Sequence, residues 1–135
     1  MNSLKTAGLI VIKDRKLLLA FSNNKKAFYL PGGKCDAGES SIQTLQREIR
    51  EELNLQLDHG LLKYYTHISA PAFGEFPEVV MEQDCYIHEL LQTPSPGLEI
   101  SQIEYFDSKA YGFQPSQVPG VIMIMRQLKE DNLID

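Results

Sequence analysis

Residues 33–55 read GKCDAGESSIQTLQREIREELNL, and this stretch decides how the chain is organised. Its apolar residues recur at spacings of three, four and four, the pattern of a helix with one core-facing stripe: Ile42, Leu45, Ile49 and Leu53. Ser40 followed by Gln43 predicts a capping box, so we expect the helix to begin near Ser40. Asn54 tolerates the left-handed conformation that closes helices, and we expect it to end this one.

Three glutamates crowd the second half of this helix. At about 100° per residue, Glu48, Glu51 and Glu52 span an arc of roughly 100° beside the apolar stripe. Their mutual repulsion and the dipole at the helix C-terminus both disfavour this arrangement. One interpretation is a solvated acidic face on which Arg47 offsets part of the repulsion. The other is a bound cation such as magnesium, which takes carboxylate and phosphate oxygens as ligands.

The residues before the helix predict three short strands. Two apolar runs, 9–12 and 16–21, flank a polar turn at residues 13–15, which is typical of a β-hairpin. A third strand is predicted at residues 28–30. The proline and glycines of residues 31–33 then predict a break in regular structure.

The residues after the helix predict three more strands, at 61–68, 79–91 and 99–106, and a last helix at 118–128. The order of strands, helix, strands and helix favours an α+β fold built on a mixed sheet. A dinucleotide-binding α/β fold is disfavoured, because regular strand–helix alternation and a Gly-x-Gly-x-x-Gly turn are both missing from the sequence.

Length and composition narrow the class of protein. The 135 residues suit one domain, residues 1–135, with a core that needs no disulfide. No apolar run approaches the roughly 20 residues that span a bilayer, and residues 1–5 do not resemble a secretory signal, so we expect a cytoplasmic protein. Cys35 and Cys85 are predicted to be reduced thiols. The net charge of −5 disfavours long nucleic acid, but a divalent cation can join an acidic protein to a nucleotide.

The spacing around the helix resembles a known family motif. From Gly33 the chain gives five residues, Glu39, seven residues, and then Arg47-Glu48-Ile49-Arg50-Glu51-Glu52-Leu53-Asn54-Leu55. This resembles the Nudix box, Gly-x5-Glu-x7-Arg-Glu-U-x-Glu-Glu-x-Gly-U with U aliphatic, except that Asn54 stands where the family has glycine. Asn can adopt the same helix-closing conformation. Residues 28–34, FYLPGGK, also resemble the segment that leads into the family's motif.

The resemblance implies a fold and an activity. The fold would be a Nudix-like α/β/α sandwich with a mixed sheet, the catalytic loop and helix on one face and a C-terminal helix on the other. The activity would be magnesium-dependent hydrolysis of a pyrophosphate bond in a nucleoside diphosphate linked to another group, with Mn²⁺ as a substitute metal. Nucleoside triphosphates suit the small size of the chain best, and nucleotide sugars or dinucleotides come second. A non-catalytic nucleotide-binding module is the alternative of another class, and a homodimer stays open.

The resemblance also implies roles for individual residues. Glu48, Glu51 and Glu52 would hold the metal together with the backbone carbonyl of Gly32. Arg47 would ion-pair within the motif and orient a glutamate, and Glu39 would tie the loop to the helix. The general base stays open between Glu48, Glu52 and Glu99. Glu99 opens the segment 99–106, which resembles one that reaches the metal cluster in the family.

Substrate contacts are expected outside the motif. Phe73 and Phe76 lie in the turn-rich loop 69–77 and could stack on a base, or pack together to pin the loop. Gln117 lies just before the last helix, in a region that resembles one where some family members hydrogen-bond a purine; the alternative is a polar residue at a helix start. Three histidines show no metal-ligand spacing and are expected to be structural or surface residues: His59, His67 and His88.

Overall fold

Strands and helices follow one another in blocks along the chain. The structure, a computed structural model, describes residues 2–73 and 79–135. Five strands come first: β1 (Asn2–Ile10), β2 (Ile12–Lys13), β3 (Lys16–Ser22), β4 (Ala27–Tyr29) and β5 (Gly32–Lys34). Helix α1 (Ser41–Leu53) and a 3₁₀ turn (His59–Leu61) lead to three further strands: β6 (Lys63–Pro71), β7 (Val79–Ile87) and β8 (Ile100–Phe106). The short helix α2 (Ser108–Tyr111) and the helix α3 (Pro119–Glu130) complete the described elements.

The strands form one mixed and one antiparallel sheet. The mixed sheet has the order β5-β1-β7-β6, in which β1 and β7 are parallel and the outer pairs are antiparallel. In the second sheet β3 is central and pairs with β2, β4 and β8, all antiparallel. The hairpin between β2 and β3 turns at Asp14 and Arg15, both with positive φ, as the polar turn at residues 13–15 predicted.

Helices cover the strands on opposite faces. Alternate residues of a strand point to opposite sides, so Leu9 and Leu18 pack in one core cluster with residues of α1. Ile10 and Leu19 pack in a second core cluster with residues of α3. Both faces of these strands are therefore buried, which explains their continuous apolar runs. The architecture is the predicted α/β/α sandwich with a mixed sheet.

Helix α1 begins and ends where its sequence predicts. The Ser40 hydroxyl accepts from the Gln43 backbone N–H, and the Gln43 side chain accepts from the Ser40 N–H, which completes the capping box. Asn54 closes the helix with φ 56°, and its amide nitrogen donates to the Ser95 carbonyl at 3.1 Å. The backbone of residues 95–98 donates to the last carbonyls of α1. Asn54 therefore replaces glycine at little conformational cost and also ties this loop to the helix.

Several element boundaries differ from the sequence prediction. The first strand begins at residue 2 rather than 9, because its polar half pairs in register with β7. The predicted break at residues 31–33 is wrong, since Gly32–Lys34 forms β5 against β1. Strand β7 ends at Ile87 rather than residue 91, and α2 was not predicted. Such differences arise because pairing partners distant in sequence decide which polar segments become strands.

Two further sequence expectations concern cysteines and membranes. Cys35 and Cys85 are both free thiols, as predicted. Within residues 2–73 and 79–135, none of the helices has the length and apolar character needed to cross a bilayer.

Candidate active site

A cavity of about 370 Å³ opens between the mixed sheet, β4 and helix α1. Beside α1 and β5 the cavity is lined by Glu48, which lies against Gly33, by Glu52, which binds the Gly32 N–H, and by Glu99, and we call this part the carboxylate end. Apolar and aromatic side chains from β1, β4, β7 and the adjoining loops form the part that we call the apolar end: Leu4, Tyr29, Leu30, Phe73, Met81 and Val118. Polar residues also line the cavity, among them Thr6, Lys25, Lys34 and Gln83. Its volume lies in the range of roughly 300–1,000 Å³ that is typical of small-molecule sites.

Two glycines allow the chain to pass under the carboxylates. Gly32 has φ +143°, and a Cβ there would lie 2.0 Å from the Ala7 carbonyl oxygen. A Cβ at Gly33 would lie 2.4 Å from the carboxyl carbon of Glu48. Side chains at these two positions would push β5 away from β1 or displace Glu48 from the cavity.

Glu52 is the most deeply buried carboxylate of the site. Its Oε1 accepts a hydrogen bond from the Gly32 backbone N–H at 2.9 Å. Burial above all, and then the neighbouring carboxylates Glu48, Glu51 and Glu99, raise the pKa of Glu52 to about 8 against the opposing hydrogen bond from the Gly32 N–H. The charged form of a carboxyl that is buried among other carboxyls would be stabilised by a cation bound beside it.

Arg47 is the centre of an ion-pair network that fixes the helix to the preceding loop. Its guanidinium donates to both carboxylate oxygens of Glu39, at 2.8 and 2.9 Å, to Glu48 Oε1 at 2.8 Å and to the Lys34 carbonyl at 3.0 Å. The Arg47 guanidinium, the Asp36 backbone N–H and the Thr44 hydroxyl together lower the pKa of Glu39 to about 2. The planar donor fork of arginine suits this pair of bonds, and lysine could not reproduce them.

The two other helix glutamates differ in exposure. The Glu48 side chain is 18% exposed, and burial raises its pKa although the bond from Arg47 opposes the rise. The Glu51 side chain is 43% exposed, and its carboxylate lies 3.7 Å from Arg47. Glu48 therefore faces the cavity, while Glu51 stands closer to solvent.

Glu99 reaches the same cavity from the loop before β8. Its backbone is held in the left-handed region, with φ +63°, and its carbonyl accepts from the Asn23 N–H at 2.8 Å. A non-glycine residue in this region costs about 1 kcal/mol or more, and such strain is concentrated at functional sites. Its carboxylate makes no hydrogen bond or ion pair with the part of the chain that the structure describes.

The chemistry of the carboxylate end fits a hard divalent cation. Four glutamates surround one region, and burial raises the pKa values of Glu48 and Glu52 even though Arg47 bonds Glu48. Among the described residues, however, no three Asp, Glu, His or Cys side chains converge into a complete metal-binding group. Magnesium commonly takes one or two carboxylates and completes its octahedral shell with water and substrate phosphates, so an open donor set of this kind suits it.

The residues predicted to contact substrate are placed differently from one another. Phe73 lines the cavity; its ring lies 6.1 Å from that of Tyr29, whose hydroxyl donates to the Phe73 carbonyl. Phe76 lies outside the described residues. Gln117 lines a different cavity, between α2 and α3, and its amide nitrogen donates to the carbonyls of Gly112 and Gln114. The structure therefore brings Phe73 to the carboxylates but not Gln117.

Two polar residues that line the cavity were not predicted from the sequence. Thr6 and Gln83 are buried polar residues on paired positions of β1 and β7. Their alternation with apolar neighbours places both on a core-facing side, which could have marked them as buried polar groups with a special role. The histidines do not join the cavity lining; His67 lies on the sheet surface between Asp84 and Glu82, at 2.8 and 2.9 Å.

Comparison with known proteins gives one family match. The model of the NUDIX domain matches residues 3–124, which is most of the chain. No curated protein matches the chain in sequence. Solved structures match along nearly its whole length at low sequence identity.

Three of these structures illustrate the likeness. A MutT protein from Methanosarcina mazei Go1 has a TM-score of 0.77 at 15% identity, covering 97% of this chain and 96% of that one. A MutT NUDIX hydrolase from Burkholderia pseudomallei has a TM-score of 0.71 at 19% identity, covering 94% and 98%. A bifunctional NMN adenylyltransferase/ADP ribose pyrophosphatase from Francisella tularensis, complexed with AMP and a Mn ion, has a TM-score of 0.69 at 17% identity, covering 96% and 42%.

Proposed function

The chain belongs to the Nudix hydrolase family, whose enzymes act on nucleoside diphosphate derivatives and use divalent metal ions. From that premise we propose that this enzyme hydrolyses a pyrophosphate bond of nucleoside triphosphates, releasing the nucleoside monophosphate and pyrophosphate, with magnesium as its metal. The observation that carries the proposal is the division of the cavity into one carboxylate end and one apolar end. Metal-bound phosphates suit the first end, and a single nucleobase suits the second.

We assign the metal to the carboxylates of helix α1. Glu48, Glu51 and Glu52 would hold it, together with the carbonyl of Gly32, whose N–H already binds Glu52. A metal ion held by these residues would neutralise the pyrophosphate charge, polarise the attacked phosphorus and make a water easier to deprotonate. Mn²⁺ is expected to substitute for Mg²⁺, since a Mn ion accompanies AMP in the Francisella tularensis structure.

The proton of the attacking water goes to Glu99 in this proposal. Glu48 Oε1 accepts from Arg47 and Glu52 Oε1 accepts from Gly32, and both carboxylates are assigned to the metal, whereas the Glu99 carboxylate has no partner among the described residues. A base must have a free oxygen within reach of the proton that it accepts. As the water oxygen bonds to phosphorus, its proton passes to Glu99, and the bond from phosphorus to the bridging oxygen breaks, leaving pyrophosphate.

Arg47 is a positioning residue rather than a group that touches substrate. It bonds Glu39 on the loop and Glu48 on the helix at the same time. This connection keeps the Glu48 carboxylate over Gly33 and thus at the cavity. Phe73 and Tyr29 would provide the aromatic wall for the base.

The proposal is tested by a substrate panel. The wild-type chain is assayed with ribo- and deoxyribonucleoside triphosphates, ADP-ribose, a nucleotide sugar and diadenosine tetraphosphate, each with and without Mg²⁺. We expect the highest kcat/KM for a triphosphate and no turnover in EDTA. Preference for a nucleotide sugar or dinucleotide would replace the triphosphate assignment, and binding without turnover across the panel would indicate a non-catalytic module.

A further inference from the structure

At the apolar end of the cavity, the amide nitrogen of a buried glutamine has no hydrogen-bond acceptor among the described residues. Gln83 lies on β7, paired with Thr6 of β1 and Ile68 of β6, so it belongs to the interior of the mixed sheet. The residue is 7% exposed and lines the same cavity as Glu48 and Glu52. Its Nε2 donates to no residue in the described part of the chain.

The orientation of this amide follows from its buried neighbour Cys85. The Cys85 Sγ lies 3.7 Å from Gln83 Oε1 and 3.9 Å from the Gln83 backbone carbonyl. Burial raises the pKa of Cys85 to about 12, so the sulfur stays a protonated thiol and acts as a donor. A donor faces the oxygen of an amide rather than its nitrogen, which turns Nε2 away from Cys85.

The Nε2 group opens into the cavity. Its other side lies against Gly8, where an added Cβ would come within 3.0 Å of Nε2 and 2.9 Å of Cδ. Among the side-chain nitrogen and oxygen atoms that the structure describes, the fully enclosed one without a partner is Ser108 Oγ, in another part of the fold. The unpartnered Gln83 Nε2 is therefore not enclosed by protein, and the space beside it is the cavity.

A buried amide nitrogen without an acceptor has a strong tendency to bind one. Its neighbours on the same face of the sheet are Leu4, Met81 and Leu30, and the hydroxyl of its cross-strand partner Thr6 donates to the Glu82 carbonyl. In such surroundings a missing hydrogen bond is costly, and one that forms is stronger than in water. The cavity thus presents one specific donor to whatever occupies its apolar end.

We propose that Gln83 determines base specificity by donating from Nε2 to a carbonyl oxygen on the edge of the nucleobase. This inference rests on the proposed function, because it takes the occupant of the cavity to be a nucleotide. The preferred substrates are nucleotides of 6-oxopurines and 4-oxopyrimidines, that is guanine, hypoxanthine, uracil and thymine. Adenine and cytosine carry an amino group at that position, which sets a donor against the Gln83 donor.

The decisive experiment pairs one protein change with one substrate change. The protein change is Gln83→Met, which keeps the length and apolar stem but removes the donor. The substrate pair is inosine triphosphate and purine riboside triphosphate, which lacks the 6-oxygen. In the wild type we expect kcat/KM to favour inosine triphosphate by about 10- to 100-fold, the usual size of one desolvated hydrogen bond. In Gln83→Met we expect the ratio to fall to within about two-fold of unity.

Because the two kcat/KM values are compared within one protein, any effect of the substitution on folding or on the active fraction cancels in their ratio. Gln117→Met is the matched control, because it removes the same amide from a residue that bonds within its own loop at a different cavity. It should leave the ratio at the wild-type value. If Gln83→Met keeps the wild-type ratio, or if Gln117→Met loses it, Gln83 does not read the base.

A binding measurement separates this inference from the proposed function. Calorimetric titration with inosine monophosphate and purine riboside monophosphate reads the base contact without turnover. Absence of triphosphate hydrolysis by the wild type would overturn the proposed function, while loss of the monophosphate preference in Gln83→Met would still support the contact. Equal affinity of wild type and Gln83→Met for inosine monophosphate would overturn the contact even if hydrolysis occurs.

Discussion

The two ends of the cavity differ in how their polar groups are hydrogen-bonded. At the carboxylate end Arg47 bonds Glu39, Glu48 and the Lys34 carbonyl, and this network fixes helix α1 to the loop before it. At the apolar end the side chains come from three strands, β1, β4 and β7, and from the loops after β4, after β6 and before α3, and the Gln83 amide nitrogen donates to no acceptor among the described residues. The first end is held rigid before any ligand binds, which is what a catalytic metal site requires. The second end leaves one bond unmade, which is what discrimination between ligands requires.

The largest expected effect is at the carboxylate end. Glu52→Gln should lower kcat by about 10³-fold or more, because it removes a buried charge that the proposed metal needs. Steady-state kinetics with saturating Mg²⁺ measure the loss. Glu104→Gln on β8 is the control, since Glu104 lies outside the cavity lining and should keep wild-type kcat. Full activity of Glu52→Gln would contradict the assignment of the catalytic metal to the carboxylate end.

The same residue should make the metal-free protein sensitive to pH. The pKa of Glu52 is about 8 in the folded chain and near 4.5 when unfolded. A carboxyl whose folded pKa is raised stabilises the fold fully below pH 4.5, and this contribution is lost as pH rises to 8. At about 1.4 kcal/mol per pKa unit, the loss amounts to a few kcal/mol.

Thermal or urea unfolding in EDTA between pH 5 and 9 tests this sign. The free energy of unfolding of wild type should fall relative to that of Glu52→Gln as pH rises, and saturating Mg²⁺ should restore it in the wild type alone. Parallel curves for the two proteins would show that Glu52 ionises as freely in the folded chain as in the unfolded one.

A moderate effect is expected from the ion-pair network. Arg47→Lys keeps the charge but cannot bond Glu39 through two nitrogens while also bonding Glu48. We expect kcat to fall about 10- to 100-fold, the range for groups that orient metal ligands, with a weaker apparent affinity for Mg²⁺. Titration of activity with Mg²⁺ gives both values, and an unchanged metal dependence would contradict the positioning role.

The smallest effect is expected at the apolar end. Phe73→Ala removes the ring beside Tyr29 and should raise KM about 10-fold while changing kcat little, because the ring binds the ground state and transition state alike. Kinetics with the best triphosphate measure the two constants separately. A loss confined to kcat would show that Phe73 acts in the chemical step, and not in substrate binding alone.

Helix α1 and its charges could be predicted because their determinants are local. The apolar stripe, the Ser40–Gln43 box and the left-handed Asn54 each depend on residues within a few turns of the chain. The Arg47 pairs with Glu39 and Glu48 share this locality. By contrast, the strand at Gly32–Lys34 was missed, since it forms through pairing with β1.

The sequence by itself therefore determined the family resemblance, the metal-binding type of chemistry and the sandwich fold. The tertiary structure decided which residues line the cavity: it brought Glu99 and Phe73 there, left Gln117 bonded in its own loop, and turned the amide of Gln83 to the cavity. The physical reason is the range of the forces involved. Helix periodicity and capping act over a few residues, whereas the lining of a cavity depends on strand register and on the direction of side chains far apart in the chain.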